Sequence, residues 1–157
     1  MTERLRGAPE KGRIPSMLTS RDLMQLEERY RSLRESLATL TDVLLHSRHQ
    51  DDVLQAFQTS EQIAISMFRD EETAMAQCQC LAEKANKVGH QWFMEELGQC
   101  LHQYREMGSG IPVATMVRRD LMPWLYEHHR VVDHQMIHQL QKLGRPGETT
   151  AFLRMSA

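Results

Sequence analysis

Apolar residues recur along most of the chain at steps of three and four. Leu23, Leu26, Leu33, Leu37, Leu40 and Leu44 form a first stripe, with Tyr30 in the place between Leu26 and Leu33. That spacing predicts an amphipathic helix with one buried face. Thr19 or Ser20 can cap its start, Asp22 adds favourable charge to the first turn, and the end is expected near His46 to Gln50. A second stripe runs Val53, Phe57, Ala64, Met67, Glu71, Met75 and Cys78, and so includes a carboxylate. A third runs Asn86, His90, Phe93, Leu97, Leu101 and Tyr104, after which Gly108-Ser109-Gly110-Ile111-Pro112 reads as a loop. The fourth runs Val117, Leu121, Leu125, His128, Val132 and Leu140, and stops before Gly144-Arg145-Pro146-Gly147. Pro123 removes one backbone donor inside this last segment, which predicts a kink or a restart of the helix there.

Four such segments, without β-type alternation and with short connections, predict an all-α fold, an antiparallel up-down-up-down four-helix bundle over residues 19–143. Residues 1–18 read as a mobile N-terminal arm, since Arg4, Arg6, Lys11 and Arg13 alternate there with Gly7, Pro9, Gly12 and Pro15, and 144–157 as a C-terminal tail. A length of 157 residues suits one domain that buries its core without disulfides. Nineteen Lys plus Arg against 21 Asp plus Glu leave a formal net charge of -2, which gives no reason to expect a nucleic acid partner. No apolar run is long enough to cross a bilayer and the N-terminal stretch lacks the apolar core of a secretory signal, so the expected location is the cytoplasm, without a membrane partner. Cys78 and Cys80 are expected on opposite sides of any helix that carries both, and with Cys100 they read as small apolar packers rather than a disulfide framework.

Tyr30, Glu71, Asn86, His90 and His128 all fall on the predicted buried stripes. Buried polar groups are costly unless paired. One alone reads as a core residue satisfied by a neighbour, whereas five spread over four helices suggest a single polar cluster, and the centre of a bundle is where metal sites are built from facing helices. Asp133 follows His128 by five residues, about 140° around an ideal helix, so periodicity does not place it inside.

These polar positions carry a resemblance. Met67-Phe68-Arg69-Asp70-Glu71-Glu72-Thr73-Ala74-Met75 is similar to the His-Phe-x-x-Glu-Glu-x-x-Met of the hemerythrin family with its first residue changed. Trp124-Leu125-Tyr126-Glu127-His128-His129-Arg130-Val131-Val132-Asp133 is similar to that family's Trp-Leu-x-x-His-Ile-x-x-x-Asp. Between them Asn86 to Phe93 resembles His-x-x-x-His-x-x-Phe, and Glu27 to Leu33 resembles Asp-x-x-His-x-x-Leu with Tyr30 at the histidine. The resemblance is to bacterial single-domain members and covers roughly residues 20 to 142.

Such proteins hold two irons with five histidines and two bridging carboxylates and bind dioxygen reversibly. Carried over by position, the resemblance implies that Glu71, His90, His128 and Asp133 are retained ligands, whereas Tyr30, Met67 and Asn86 replace histidines. Tyr30 and Met67 fall on the iron that takes dioxygen, and neither a thioether nor a neutral phenol replaces imidazole on ferrous iron well. The resemblance therefore implies a degenerate site that has lost reversible dioxygen binding, holding no metal or a single Fe, Zn or Mn ion rather than a di-iron centre. Asn86 would then be a weak oxygen ligand or a hydrogen-bond donor behind the ligands.

Two functions follow as expectations. The first is a regulatory module that acts by contact with another protein, with a homodimer as one form of that contact. The alternative is a mononuclear metal sensor or store built on the surviving half-site. A di-iron oxygen carrier is the third reading, and no general base or substrate pocket can be read that would make the chain an enzyme. His46, His49 and His102 are expected at helix ends or solvated positions, and His129, His134 and His138 on the solvated face of the fourth helix.

Overall fold

A computed structural model of the protein describes residues 20–142, apart from the side chains of residues 20, 133, 137 and 140–142. The arm expected over 1–18 and the tail over 144–157 lie outside the described residues. These are all-helical, with no strand among them, and form a helical bundle. Helix α1 spans Ser20–His46, α2 Gln50–Gln77 and α3 Glu83–Met107. The fourth rod is made of α4 (Gly110–Met116), a π-helical turn (Val117–Leu121) and α5 (Met122–Lys142), with right-handed helical backbone at both junctions. Helix α1 packs along α2, α4 and α5, and α3 packs against α2, α4 and the π turn, so the four rods enclose one core. None of the described helices is long and apolar enough to cross a membrane.

The expected stripes face inward on α1 and α2, from Leu23 to Leu44 and from Val53 to Cys78. On α3 the stripe turns in its last two turns, where Leu101 and Tyr104 are half-buried and Cys100 is buried instead. The segment expected to be a loop from Gly108 is shorter than the spacing suggested. Gly108 ends α3 in the left-handed region at φ 63°, and α4 begins two residues later with Pro112 in its first turn. Proline is tolerated there because first-turn N–H groups lack intrahelical partners anyway. Gly110 lies against the end of α1, where a Cβ would run into the Leu44 carbonyl.

Pro123 is accommodated by the π turn just before it. Val113, Val117, Leu121 and Leu125 are all buried at four-residue steps, a spacing that drifts about 40° per step in a regular α-helix. The wider turn absorbs that drift, and the Met122 N–H bonds to the Val117 carbonyl, five residues back.

The apolar core is divided. One cluster contains Tyr30, Leu33, Met67, Phe68, Phe93 and Leu125, and a smaller one contains Leu23, Leu26, Ala74, Met75, Cys78, Cys80, Val132 and Met136. Glu71 stands between the two on α2, and His128 between them on α5. A polar layer therefore crosses the bundle where the two apolar clusters part.

Candidate metal centre

Glu71 on α2 is buried, at 2 % exposure, as is His90 on α3 at 4 %. His128 on α5 is nearly so, with 9 % of its side chain exposed. Three atoms converge. His90 Nε2 lies 2.9 Å from Glu71 Oε2, His128 Nε2 lies 3.0 Å from the same oxygen, and the two nitrogens are 3.1 Å apart. Each ring is held on its other side. Phe68 stacks on His90 with centroids 4.0 Å apart, and Trp124 stacks on His128 at 4.4 Å. Gly89 lets α3 approach this wall, since a Cβ there would stand 3.2 Å from Trp124 Cζ2.

His90 Nδ1 lies 2.8 Å from Glu72 Oε1. A hydrogen bond donated from Nδ1 to that carboxylate would leave Nε2 free to face a bound ion, whereas without an ion an Nε2–H can donate to Glu71 instead. This carboxylate–histidine arrangement is the one that orients imidazole for a metal. Sequence reasoning assigned Glu72 no role, although the adjacent acidic pair Glu71-Glu72 was the available signal.

Proton counting separates two ways of satisfying this triangle. Its three edges need three hydrogen bonds, but each Nε2 carries at most one proton and the carboxylate oxygen, when ionised, none. At most two edges can be well bonded by protons, whereas one cation satisfies all three atoms together. The spacing also fits. For bonds of about 2.1 Å, neighbouring ligand atoms stand about 3.0 Å apart at right angles and about 3.4 Å apart at the tetrahedral angle. The observed edges of 2.9 to 3.1 Å are close to these spacings and are also ordinary hydrogen-bond lengths. Burial alone would raise the Glu71 pKa, but hydrogen bonds and charge from His128 and His90 together outweigh it and hold the carboxyl below its ordinary value.

The other expected positions are placed as follows. Asn86 is buried one turn before His90, and its amide nitrogen has no hydrogen-bond partner, which leaves one donor of the polar layer unused. Met67 is wholly buried in the larger apolar cluster. Tyr30 is buried and stacks on His129 with centroids 3.6 Å apart. The Asp133 side chain lies outside the described residues. His129 corrects the expectation of a solvated face, because its side chain is only 13 % exposed and its Nε2 lies 3.0 Å from Glu27 Oε2. Burial pushes its pKa down, partly offset by the charges of Glu27 and Glu71. His134 and His138 are exposed, as are His46, His49 and His102.

No family model, curated protein or solved structure matches this chain. The geometry of Glu71, His90 and His128 therefore carries the functional reading.

Proposed function

We propose that the protein is a hemerythrin-like bundle, up-down-up-down in topology, that binds one metal ion on Glu71, His90 and His128 and acts as a metal sensor or store. The convergence of one carboxylate oxygen and two imidazole nitrogens on a single buried point carries this reading. Asp133 is the proposed fourth ligand from the resemblance, and Glu72 orients His90 from behind. Two imidazoles and a carboxylate would suit Fe(II), Mn(II) or Zn(II). When bound, the ion would supply the positive charge that joins α2, α3 and α5 across the polar layer. Loss of dioxygen carriage is proposed alongside, supported by Met67 being enclosed in apolar packing and Tyr30 being stacked on His129.

The test is metal content after purification with added Fe(II), Mn(II) or Zn(II). About one ion per chain is expected, held against dialysis, together with a rise in thermal stability when metal is added to stripped protein, since binding only the folded state stabilises it. His90→Ala and His128→Ala should both abolish retention. Stripped protein that takes up no ion and does not change in stability would return the chain to the reading of a metal-free interaction module.

A further inference from the structure

The smaller apolar cluster is unusual in its chemistry. Of its eight buried residues, four carry sulfur, namely Met75, Cys78, Cys80 and Met136. The larger cluster has only Met67 and Cys100 among eighteen. The backbone explains how three of the four come to share one turn. Helix α2 ends at Gln77, so it carries neither Cys78 nor Cys80, and the expectation for a helix carrying both does not apply. Gln79 adopts the left-handed conformation at φ 53°, the Cys80 N–H bonds to the Met75 carbonyl at 2.9 Å, and the Gln79 N–H bonds to the Ala76 carbonyl at 3.2 Å. This Schellman-type closure folds residue 80 back beside residue 75. Cys78 lies three residues beyond Met75, on the same face of the helix. Met75, Cys78 and Cys80 are buried, at 0 %, 4 % and 9 % exposure; both cysteines are outside any disulfide, and the Cys78 thiol donates to the Ala74 carbonyl at 3.0 Å. The next residue, Leu81, is 96 % exposed, which puts the cluster one residue from solvent.

We propose that Met75, Cys78 and Cys80, with Met136 packed in the same cluster, form a binding site for a single soft cation, Cu(I). Thiolate and thioether sulfurs select Cu(I) over the harder ions suited to imidazole and carboxylate. Two thiols and a thioether presented by one turn provide the few soft ligands that it needs, and the apolar residues Leu23, Leu26 and Val132 surround them. Binding exchanges the two thiol protons, released to solvent, for one Cu(I), with no change in oxidation state. Burial pushes the Cys78 thiol up to about 11, with the neighbouring Cys80 adding to the shift. The site shares no residue with the Glu71, His90 and His128 centre, and the two proposals stand or fall separately.

The experiment is an anaerobic titration of full-length protein with Cu(I) against a coloured Cu(I) chelator, followed by alkylation and peptide mass spectrometry. The expected result is one Cu(I) withheld from the chelator per chain, with Cu(I) slowing alkylation of Cys78 and Cys80 but leaving Cys100 unchanged. Cys78→Ser with Cys80→Ser should lose the ion while keeping native helicity, and Cys100→Ser, in the other apolar cluster, should retain it. Wild-type protein that leaves all the Cu(I) to the chelator would overturn the proposal, as would protection of Cys100 alone or loss of the ion in Cys100→Ser. The alkylation pattern is read on the unmodified chain, so it decides the matter even if the double variant does not fold.

Discussion

His128 and His129 are consecutive on α5, yet the bundle surrounds them differently. Each has a glutamate partner and an aromatic ring stacked on it, Glu71 with Trp124 for His128, and Glu27 with Tyr30 for His129. Around His128 a third ligand atom, from His90, closes a triangle. Around His129 the described contacts include Glu27 across the α1–α5 seam and the Tyr30 ring. Three converging ligand atoms that share at most two protons leave a lone pair for a cation in the cluster around His128. The same residue types at neighbouring positions thus belong to two different groupings, and the one around His128 is the candidate metal centre.

The largest effect expected on this contrast comes from His90→Ala. In metal-free protein it leaves the buried Glu71 carboxylate short of a partner, which should cost about 3–5 kcal/mol in denaturant unfolding, and in loaded protein it should abolish metal retention. His129→Ala, measured in parallel, should leave metal content unchanged. If it also releases the ion, the two clusters are one site and the contrast fails. Next is Glu72→Gln, which keeps the fold and the three converging atoms but weakens the orientation of His90. Metal affinity from competition titration should fall about 10- to 100-fold with stoichiometry unchanged. An unchanged affinity would remove Glu72 from the centre.

Gly89→Ala should have a smaller effect. The added Cβ at 3.2 Å from Trp124 asks that ring to shift by a few tenths of an ångström, so a cost of about 1 kcal/mol is expected, with a change in Trp fluorescence reporting the movement. Glu27→Gln should do least. Because burial holds the His129 pKa below its ordinary value, the ring is largely neutral near pH 7 and the contact is a hydrogen bond rather than a full ion pair. A loss of about 0.5–1 kcal/mol, without loss of metal, is expected from thermal unfolding.

Much of this could be read from the spacing of residues. The α1 leucines and the α2 stripe report burial directly, because one inward face repeats at the helical period over several turns. The polar residues on those stripes, Glu71, His90 and His128, were legible for the same reason. His129 was not, since it lies about 100° from His128 and only the packing of α1 along that flank buries it. The turn that carries Cys80 was not legible, because a left-handed residue, Gln79, bends the chain at a place where no glycine signals a helix end. The early start of α4 was hidden by Pro112, which usually marks a loop but here sits in a first turn. Glu72 was passed over because it is only half-buried and interrupts the apolar pattern on no face.

The π turn sets the rotational phase of everything that follows it on the fourth rod. A π turn accommodates one residue more than the α-helical turn it replaces, so Val117–Leu121 acts as a spacer that determines which way α5 presents its side chains. Deleting a single residue from Arg118, Arg119 or Asp120, none of them buried, would let the turn close as an ordinary α-helical one, whereas inserting a further residue there would exceed what the π turn absorbs and turn α5 by about 100° relative to α4. The insertion would carry His128 away from Glu71 and His90 without altering any of the three. The centre is therefore sensitive to chain length at a point several residues from any proposed ligand, where a scan of individual substitutions would not detect it.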